Sequence, residues 1–323
     1  MTSITIKTKV EDWAIDGDFS ISRGSKTKAI VVVAEVGNGK VKGHGECVPY
    51  PRYGESAESV DAIIKAWRGR NRSVLQKEIP PGAARNALDC AFWDFEAKKS
   101  GRPVYELAGL NKPKPIIASY TISLDTPQKM AENAHRVALR PLLKIKLGKD
   151  GDAERLAAVR AAAPKARLIV DANEGWTAKN ISENLAACKK VGVEVVEQPL
   201  PAKDDAALAS VSRDIHVCAD ESAFDRASLP SLVGKYDMVN IKLDKTGGLT
   251  EALATAALAR QMGLGIMVGC MVSTSLSIAP AFLVAQHADY ADLDGSLLLA
   301  KDRAHGAHYA DGLIYPPTRS LWG

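Results

Sequence analysis

The sequence holds too few cysteines, in the wrong pattern, for a disulfide framework or a zinc site: Cys47, Cys90, Cys188, Cys218 and Cys270 are odd in number and include no Cys-x-x-Cys pair. A reducing compartment, the cytoplasm, is the expected location. No apolar run approaches the roughly 18 residues of a membrane-spanning helix. Met1-Thr2-Ser3-Ile4-Thr5-Ile6-Lys7 has no apolar stretch before a small-residue cleavage site, so no secretory signal is expected. Charge of one sign is also scarce, because 42 basic and 38 acidic side chains leave only +4, dispersed along the chain. That balance argues against a nucleic-acid surface and stays compatible with small anionic ligands. No glycine-rich phosphate loop follows a first strand, which speaks against an open dinucleotide-binding sheet, and the six histidines form no cluster.

What is present is ordinary globular material, 46% hydrophobic and 25% charged, in a chain of 323 residues. That length fits one large α/β barrel with an addition, or two linked domains. The first third reads as α+β. Residues 4–10 alternate like a strand, and 29–36 with 41–46 read as a hairpin turning at Gly37-Asn38-Gly39. Helices are expected over 56–67 and 83–99, the second stopped by Gly101. From about Lys112 the pattern becomes eight short apolar runs, at 116–121, 142–147, 168–170, 193–196, 215–219, 238–241, 266–268 and 290–293, each followed by a helical stretch. The charged residues that end successive runs, Lys146, Asp171, Glu197, Asp220 and Lys242, are spaced by 25, 26, 23 and 22 residues, one strand-plus-helix unit each time. This repeat predicts an α/β barrel, in which all strand ends face one mouth.

Chemistry concentrates at those ends. Asp171 closes Ile169-Val170-Asp171-Ala172-Asn173, Glu197 closes Val195-Val196-Glu197-Gln198-Pro199, and Asp220 closes Cys218-Ala219-Asp220-Glu221-Ser222. Three anions crowded at one mouth repel strongly at low effective dielectric, so a bound cation is the natural resolution. All-oxygen ligation favours Mg²⁺, with Mn²⁺ also compatible. Lys144-Ile145-Lys146 lies one repeat before Asp171, and period two puts both ammonium groups on one face. Lys242 stands one repeat after Asp220, in Asn240-Ile241-Lys242-Leu243-Asp244-Lys245. Neighbouring cations and partial burial disfavour a charged amine, so one of these lysines is expected to be neutral near neutral pH and to act as a base. Lys146 and Lys242 approaching one carbon from opposite sides would remove a proton from one face and deliver one to the other. That is inversion, with metal ligation of the adjacent carboxylate spreading the charge of the enediolate.

Taken together, these residues resemble the enolase superfamily, in its muconate-lactonising subgroup and most closely its dipeptide epimerases. The resemblance spans nearly the whole chain and includes Gly45-Glu46-Cys47, Pro49-Tyr50-Pro51-Arg52-Tyr53-Gly54-Glu55, Ala83-Ala84-Arg85-Asn86-Ala87-Leu88-Asp89 and Lys242-Leu243-Asp244-Lys245-Thr246-Gly247-Gly248. It implies metal ligation by Asp171, Glu197 and Asp220 and acid/base work by Lys146 and Lys242, the lysine-plus-Mg²⁺ pattern general to this superfamily. Lys144, Asn173 and Lys245 are implied as supporting residues. The implied fold is α/β, a modified TIM barrel of (β/α)7β type over 112–300, under an α+β capping domain made of residues 1–111 plus a tail, 301–323, that returns to it.

Asp292-Leu293-Asp294-Gly295 is similar to the Asp-x-Asp with which dipeptide epimerases hold the substrate's α-ammonium group. Ile21-Ser22-Arg23-Gly24-Ser25 resembles the mobile specificity loop of the L-Ala-D/L-Glu epimerases, with Arg23 placed to pair bidentately with a glutamate side chain. The function implied is metal-dependent epimerisation of L-Ala-L-Glu and L-Ala-D-Glu in the recycling of murein peptides. The partner is then a small-molecule dipeptide, with no nucleic acid and no membrane, and a homo-oligomer is compatible. The rivals are an o-succinylbenzoate synthase, N-acylamino acid racemase or muconate cycloisomerase using the same lysines, then a Schiff-base aldolase or a non-catalytic binding protein. An acidic pair suits a cationic amine and repels a dicarboxylate, which favours the dipeptide.

Overall fold

Branched apolar residues alternating with charged ones favour extended chain, and residues 5–37 form one long hairpin, β1 (Thr5–Ile21) and β2 (Gly24–Gly37). β3 (Lys42–Cys47) adds antiparallel to β2 after the turn expected at residues 37–39. The structure, a computed structural model, describes residues 4–323. β1 runs well beyond the expected 4–10. Its pairing continues past a register shift between Ala14 and Phe19 to join Ile21 with Gly24, so Arg23 sits at a hairpin tip. Asp16-Gly17-Asp18 interrupts the alternation there and hides the second half of the strand.

α1 (Ala57–Ala66) begins at Ser56, which caps it reciprocally with Ser59. The seven-residue α2 (Arg72–Glu78) is too short to announce itself by periodicity. α3 (Ala83–Ser100) ends, as expected, at Gly101 in the left-handed region, and α4 (Val104–Leu107) follows. The inward faces of β2, β3, α1 and α3 share a cap core that includes Val32, Val36, Ile64, Leu88 and Phe92.

The barrel follows β4 (Ile116–Ile117) and comprises β5 (Tyr120–Ile122), α5 (Pro127–Arg136), β6 (Leu142–Lys146), α6 (Asp152–Ala162), β7 (Arg167–Asp171), α7 (Ile181–Lys190), β8 (Val193–Glu197), β9 (His216–Ala219), β10 (Met238–Ile241), α8 (Leu243–Thr246), α9 (Leu249–Gln261), β11 (Gly265–Gly269), α10 (Ser275–Ala285) and β12 (Tyr290–Asp292). Strands β5 to β12 lie side by side in sequence order, all parallel, and a bridge from Ala118 to Ala291 links the first edge to the last. Two expectations need correction. The run 116–121 is two strands: β4 leaves the barrel to pair with β14 (Leu313–Ile314), itself paired with β13 (Tyr309–Ala310). The units after β8 and β9 carry 3₁₀ turns, Ala206–Ala209 and Arg226–Ser231, in place of α-helices, and Pro230 inside the second has no N–H to contribute to an α-helical ladder. Among the described residues no helix is long and apolar enough to cross a membrane.

Side chains pointing into the lower half of the barrel are apolar. Leu142, Ile169, Val195, Cys218, Met238 and Met267 form a buried cluster of their own. The cap is joined to the barrel by buried polar contacts. Asp244 accepts from Asn86 Nδ2 at 2.8 Å and from the Val48 N–H at 3.0 Å, and Arg85 donates to the Thr246 carbonyl at 2.7 Å. Glu46 accepts from the Thr274 N–H at 2.8 Å and from Arg303 Nη2 of the tail at 2.7 Å. Trp322 Nε1 donates to the Cys90 carbonyl of α3 at 3.1 Å.

Candidate active site at the barrel mouth

Period two carries the inward face of each strand from the apolar plug to the mouth: Leu142 leads to Lys144 and Lys146, Ile169 to Asp171, Val195 to Glu197, Cys218 to Asp220, and Met238 to Asn240 and Lys242. Asp171, Glu197 and Asp220 are buried and offer carboxylate oxygens that all lie within 4.8 Å of one another. Lys146 Nζ contacts Asp171 Oδ2 at 2.6 Å, and Lys242 Nζ contacts Asp220 Oδ2 at 2.7 Å. β6 and β10 are four positions apart in an eight-strand order, with the three acid-bearing strands between them, so the two lysines rise from opposite walls.

The supporting residues are equally buried. Lys144 Nζ lies 2.6 Å from Asp292 Oδ2, 2.5 Å from Glu197 Oε2 and 3.4 Å from Asp171 Oδ2. Lys245 Nζ donates to Asp220 Oδ1 at 2.6 Å and to the Asn240 carbonyl at 3.0 Å, while Asn240 Nδ2 donates to Glu197 Oε1 at 2.7 Å. Asp171 Oδ1 accepts from the Asn173 N–H at 2.8 Å.

Burial works against ionisation of Asp171, but Lys146 and Lys144 outweigh it and hold the carboxyl down to about 2. Asp220 is likewise held well below the usual carboxylate range by Lys242 and Lys245 against burial. Glu197 goes the other way, pushed up to about 7 by burial and then by Asp171 beside it. Its Oε2 accepts no hydrogen bond of proper geometry despite the closeness of Lys144. A buried, under-satisfied oxygen in a set of three oxygen donors fits a hard divalent cation. The expected depression of a lysine pKa is not seen at Lys242. Burial does pull it down, but Asp220 and Glu197 outweigh that, and the ammonium is held well above the usual lysine range.

Above the mouth is a cavity of about 670 Å³, roofed by Phe19, Ile21, Tyr50 and Tyr53 of the cap and walled by Lys146, Lys242, Asp220 and Met271. Arg23 reaches it from the hairpin tip, donating to the Asn173 carbonyl at 2.8 Å, to Glu174 Oε2 at 3.1 Å and to Glu221 Oε1 at 2.6 Å. Asp292 and Asp294 lie deeper, outside the cavity lining. Asp292 accepts from Ser119 Oγ at 2.7 Å and faces Lys144, and Asp294 accepts the Thr121 N–H at 2.6 Å. Burial and the adjacent Asp292 push Asp294 up to about 6.

Reading the sequence missed Glu221, Glu174 and Gln198. Gln198 Oε1 accepts the N–H groups of Asp220 and Ser222 at 2.9 and 3.0 Å, which orients the third acid. Each missed residue directly follows a residue that was singled out, so the signal was adjacency to a strand end.

Residues 3–109 match the model of the mandelate racemase / muconate lactonizing enzyme N-terminal domain, and residues 129–320 match the enolase C-terminal domain-like model. The chain belongs to the enolase superfamily. One relative of this superfamily member is an L-Ala-D/L-Glu epimerase of Escherichia coli (strain K12), 45% identical over 318 residues that cover 96% of this chain and 99% of the relative. Another is an N-acetyl-D-glutamate racemase of Pseudoalteromonas sp, 46% identical over 300 residues, 91% of this chain and 95% of the relative. Among solved structures, an Agrobacterium tumefaciens enolase family member with homology to dipeptide epimerases, holding sodium and L-Ala-L-Glu with an ordered loop, superposes with a TM-score of 0.97 at 50% identity, covering 99% of this chain and 100% of that one. A Cytophaga hutchinsonii dipeptide epimerase complexed with Mg and D-Ala-L-Val gives 0.91 at 27% identity, over 98% and 93% of the two chains.

Proposed function

We propose that this enolase-superfamily member is a dipeptide epimerase that inverts the α-carbon of the C-terminal residue of an alanyl dipeptide, with L-Ala-L-Glu and L-Ala-D-Glu as the preferred pair. The observation that carries this reading is the pair of lysines on opposite walls with three carboxylates between them. Asp171, Glu197 and Asp220 would hold Mg²⁺, or Mn²⁺ in its place. When bound, the ion supplies positive charge opposite the substrate carboxylate as negative charge grows there. Lys146 and Lys242 both line the cavity and act as the acid/base pair, one taking the α-proton while the other delivers a proton to the opposite face, with roles exchanged for the other epimer. Burial and the nearby Lys144 favour the neutral amine at Lys242, and Asp220, Glu197 and Asp171, which hold it charged, are the carboxylates that a bound cation would engage.

Lys144 and Lys245 offset buried negative charge, and the Asn173 carbonyl fixes the hairpin tip. Arg23 takes the acidic side chain of the second residue, and Asp292 with Asp294 receives the α-ammonium. A carboxyl pushed upward beside a second carboxylate favours an incoming cation. The same reading places the enzyme in the cytoplasm, in murein peptide recycling, with cap, barrel and tail divided at 1–111, 112–300 and 301–323.

The test is a dipeptide library in deuterated water, scored by label at the α-carbon. Absence of exchange with every alanyl dipeptide would remove the assignment. Loss of exchange on chelation, with no trapping of a carbonyl ligand by borohydride, separates the reaction from Schiff-base chemistry. A second reading, racemisation of an N-acylated glutamate, is favoured by one observation: Asp292 and Asp294 are already partnered and stand back from the cavity. N-acetylglutamate assayed beside alanyl-glutamate decides between them by kcat/KM.

A further inference from the structure

Arg23, beside Asn173, stands in the partition between the large cavity and a neighbouring cleft. It lines both the 670 Å³ chamber and a second, outer cleft of about 460 Å³ bordered by Ser22, Arg52, Glu174 and Lys203. We infer that Glu174 is the latch of this partition, a positioning residue that holds the hairpin tip closed over the substrate. The inference deepens the epimerase reading and rests on it for its kinetic arm.

Four segments meet at the Glu174 carboxylate. Oε1 accepts from Arg52 Nη2 of the cap at 2.5 Å and from the Ala202 N–H of the loop after β8 at 2.8 Å, while Oε2 accepts from Arg23 Nη1 at 3.1 Å. Its backbone is tied in turn to the strand ends, because the Glu174 N–H donates to the Gln198 carbonyl at 2.9 Å. Gln198 orients Asp220, so closure of the tip is registered against the acids of the mouth. Asn173 and Glu174 are consecutive left-handed residues, at φ 46° and 63°. That backbone is unfavourable for a glutamate, and the surrounding contacts must impose it. The tip also needs room below it. A Cβ on Gly148 would lie 2.3 Å from the Ala172 carbonyl and 2.9 Å from Ser22 Cβ, and one on Gly175 would lie 2.4 Å from Gly148. With those two glycines the loops after β6 and β7 let Ser22 descend until its Oγ donates to the Asn173 carbonyl at 2.8 Å.

The experiment compares Glu174→Ala and Glu174→Gln with the wild type in two assays. In the first, KM for alanyl-glutamate should rise about tenfold or more in Glu174→Ala while kcat stays within about twofold, because the lost contacts are charge-assisted hydrogen bonds remote from the reacting carbon. In the second, trypsin should cut the tip at Arg23, Lys26 or Lys28 faster than in the wild type, without substrate present. Glu174→Gln keeps an acceptor for Arg52 and Ala202 but loses the charge facing Arg23, so it should fall between the two. It also serves if the alanine variant does not fold. Unchanged tip cleavage in the variants, or equal losses in kcat and kcat/KM with KM unaltered, would overturn the latch. A wild type that exchanges no alanyl dipeptide would refute the substrate reading instead, and the tryptic comparison would still decide the latch.

Discussion

The two ends of the barrel are made by the same short strands and obey opposite rules. At the floor Leu142, Ile169, Val195, Cys218, Met238 and Met267 are buried against one another with no polar partner required. At the mouth, two to four residues further along, Lys144, Lys146, Asp171, Glu197, Asp220 and Lys242 are buried to a similar degree, each ionisable and each dependent on its neighbours. The floor lowers the free energy of the fold simply by removing apolar area from water. The mouth incurs desolvation that its ion pairs offset only in part, and Glu197 shows the deficit as a carboxyl that resists ionisation. Stability and chemistry are thus separated along one strand direction.

That contrast can be broken in several places. Lys146→Ala or Lys242→Ala should lower epimerisation by about 10³-fold or more while the circular dichroism spectrum stays native; full turnover in both would put the chemistry elsewhere. Chelation should lower turnover by a comparable, slightly smaller factor, on the order of 10²–10³, and added Mg²⁺ should restore it along with several degrees of thermal stability, since the ion binds only the folded chain. Ile169→Ala at the floor should do the reverse, reducing stability by about 3 kcal/mol in chemical denaturation with little change in kcat/KM per folded molecule. A floor substitution that abolished turnover without loss of stability would erase the distinction.

The smallest effect is expected where cap meets barrel. Burial pushes the Asp244 carboxyl up to about 7, with Glu55 and Glu46 adding repulsion against the hydrogen bonds from Val48 and Asn86. Its folded value is therefore above the unfolded one, so its contribution is fully present below about pH 4 and is lost as pH rises toward 7. Asp244→Asn keeps the acceptor oxygen and should flatten this dependence between pH 5 and 8 by about 1 kcal/mol or more. Melting temperatures of the two proteins across that range provide the check.

The barrel was legible because five successive repeats, those of β6 to β10, end in a charge after an apolar run, and that regularity survives whatever the loops do. The convergence of Asp171, Glu197 and Asp220 followed from the fold type alone. The protonation of Lys242 did not, because it depends on how many acids face the amine across the barrel, and strand spacing carries no such count. Arg23 was named from its surroundings in sequence, yet its partners Glu174 and Glu221 belong to loops 150 residues or more away. The short β4 and the 3₁₀ turns were invisible for another reason: two-residue pairing and a proline-limited turn leave no period to detect.

The hairpin of β1 and β2 outruns its sheet. β3 pairs with β2 only from Val32 to Gly37, while Phe19, Arg23 and Lys26 lie toward the far end of the arm. It is a cantilever whose root is set in the cap and whose far end brings Phe19, Arg23 and Lys26 to the wall of the large cavity. A lineage could rewrite that far end repeatedly and leave the lysines and carboxylates of the barrel strands beneath it untouched.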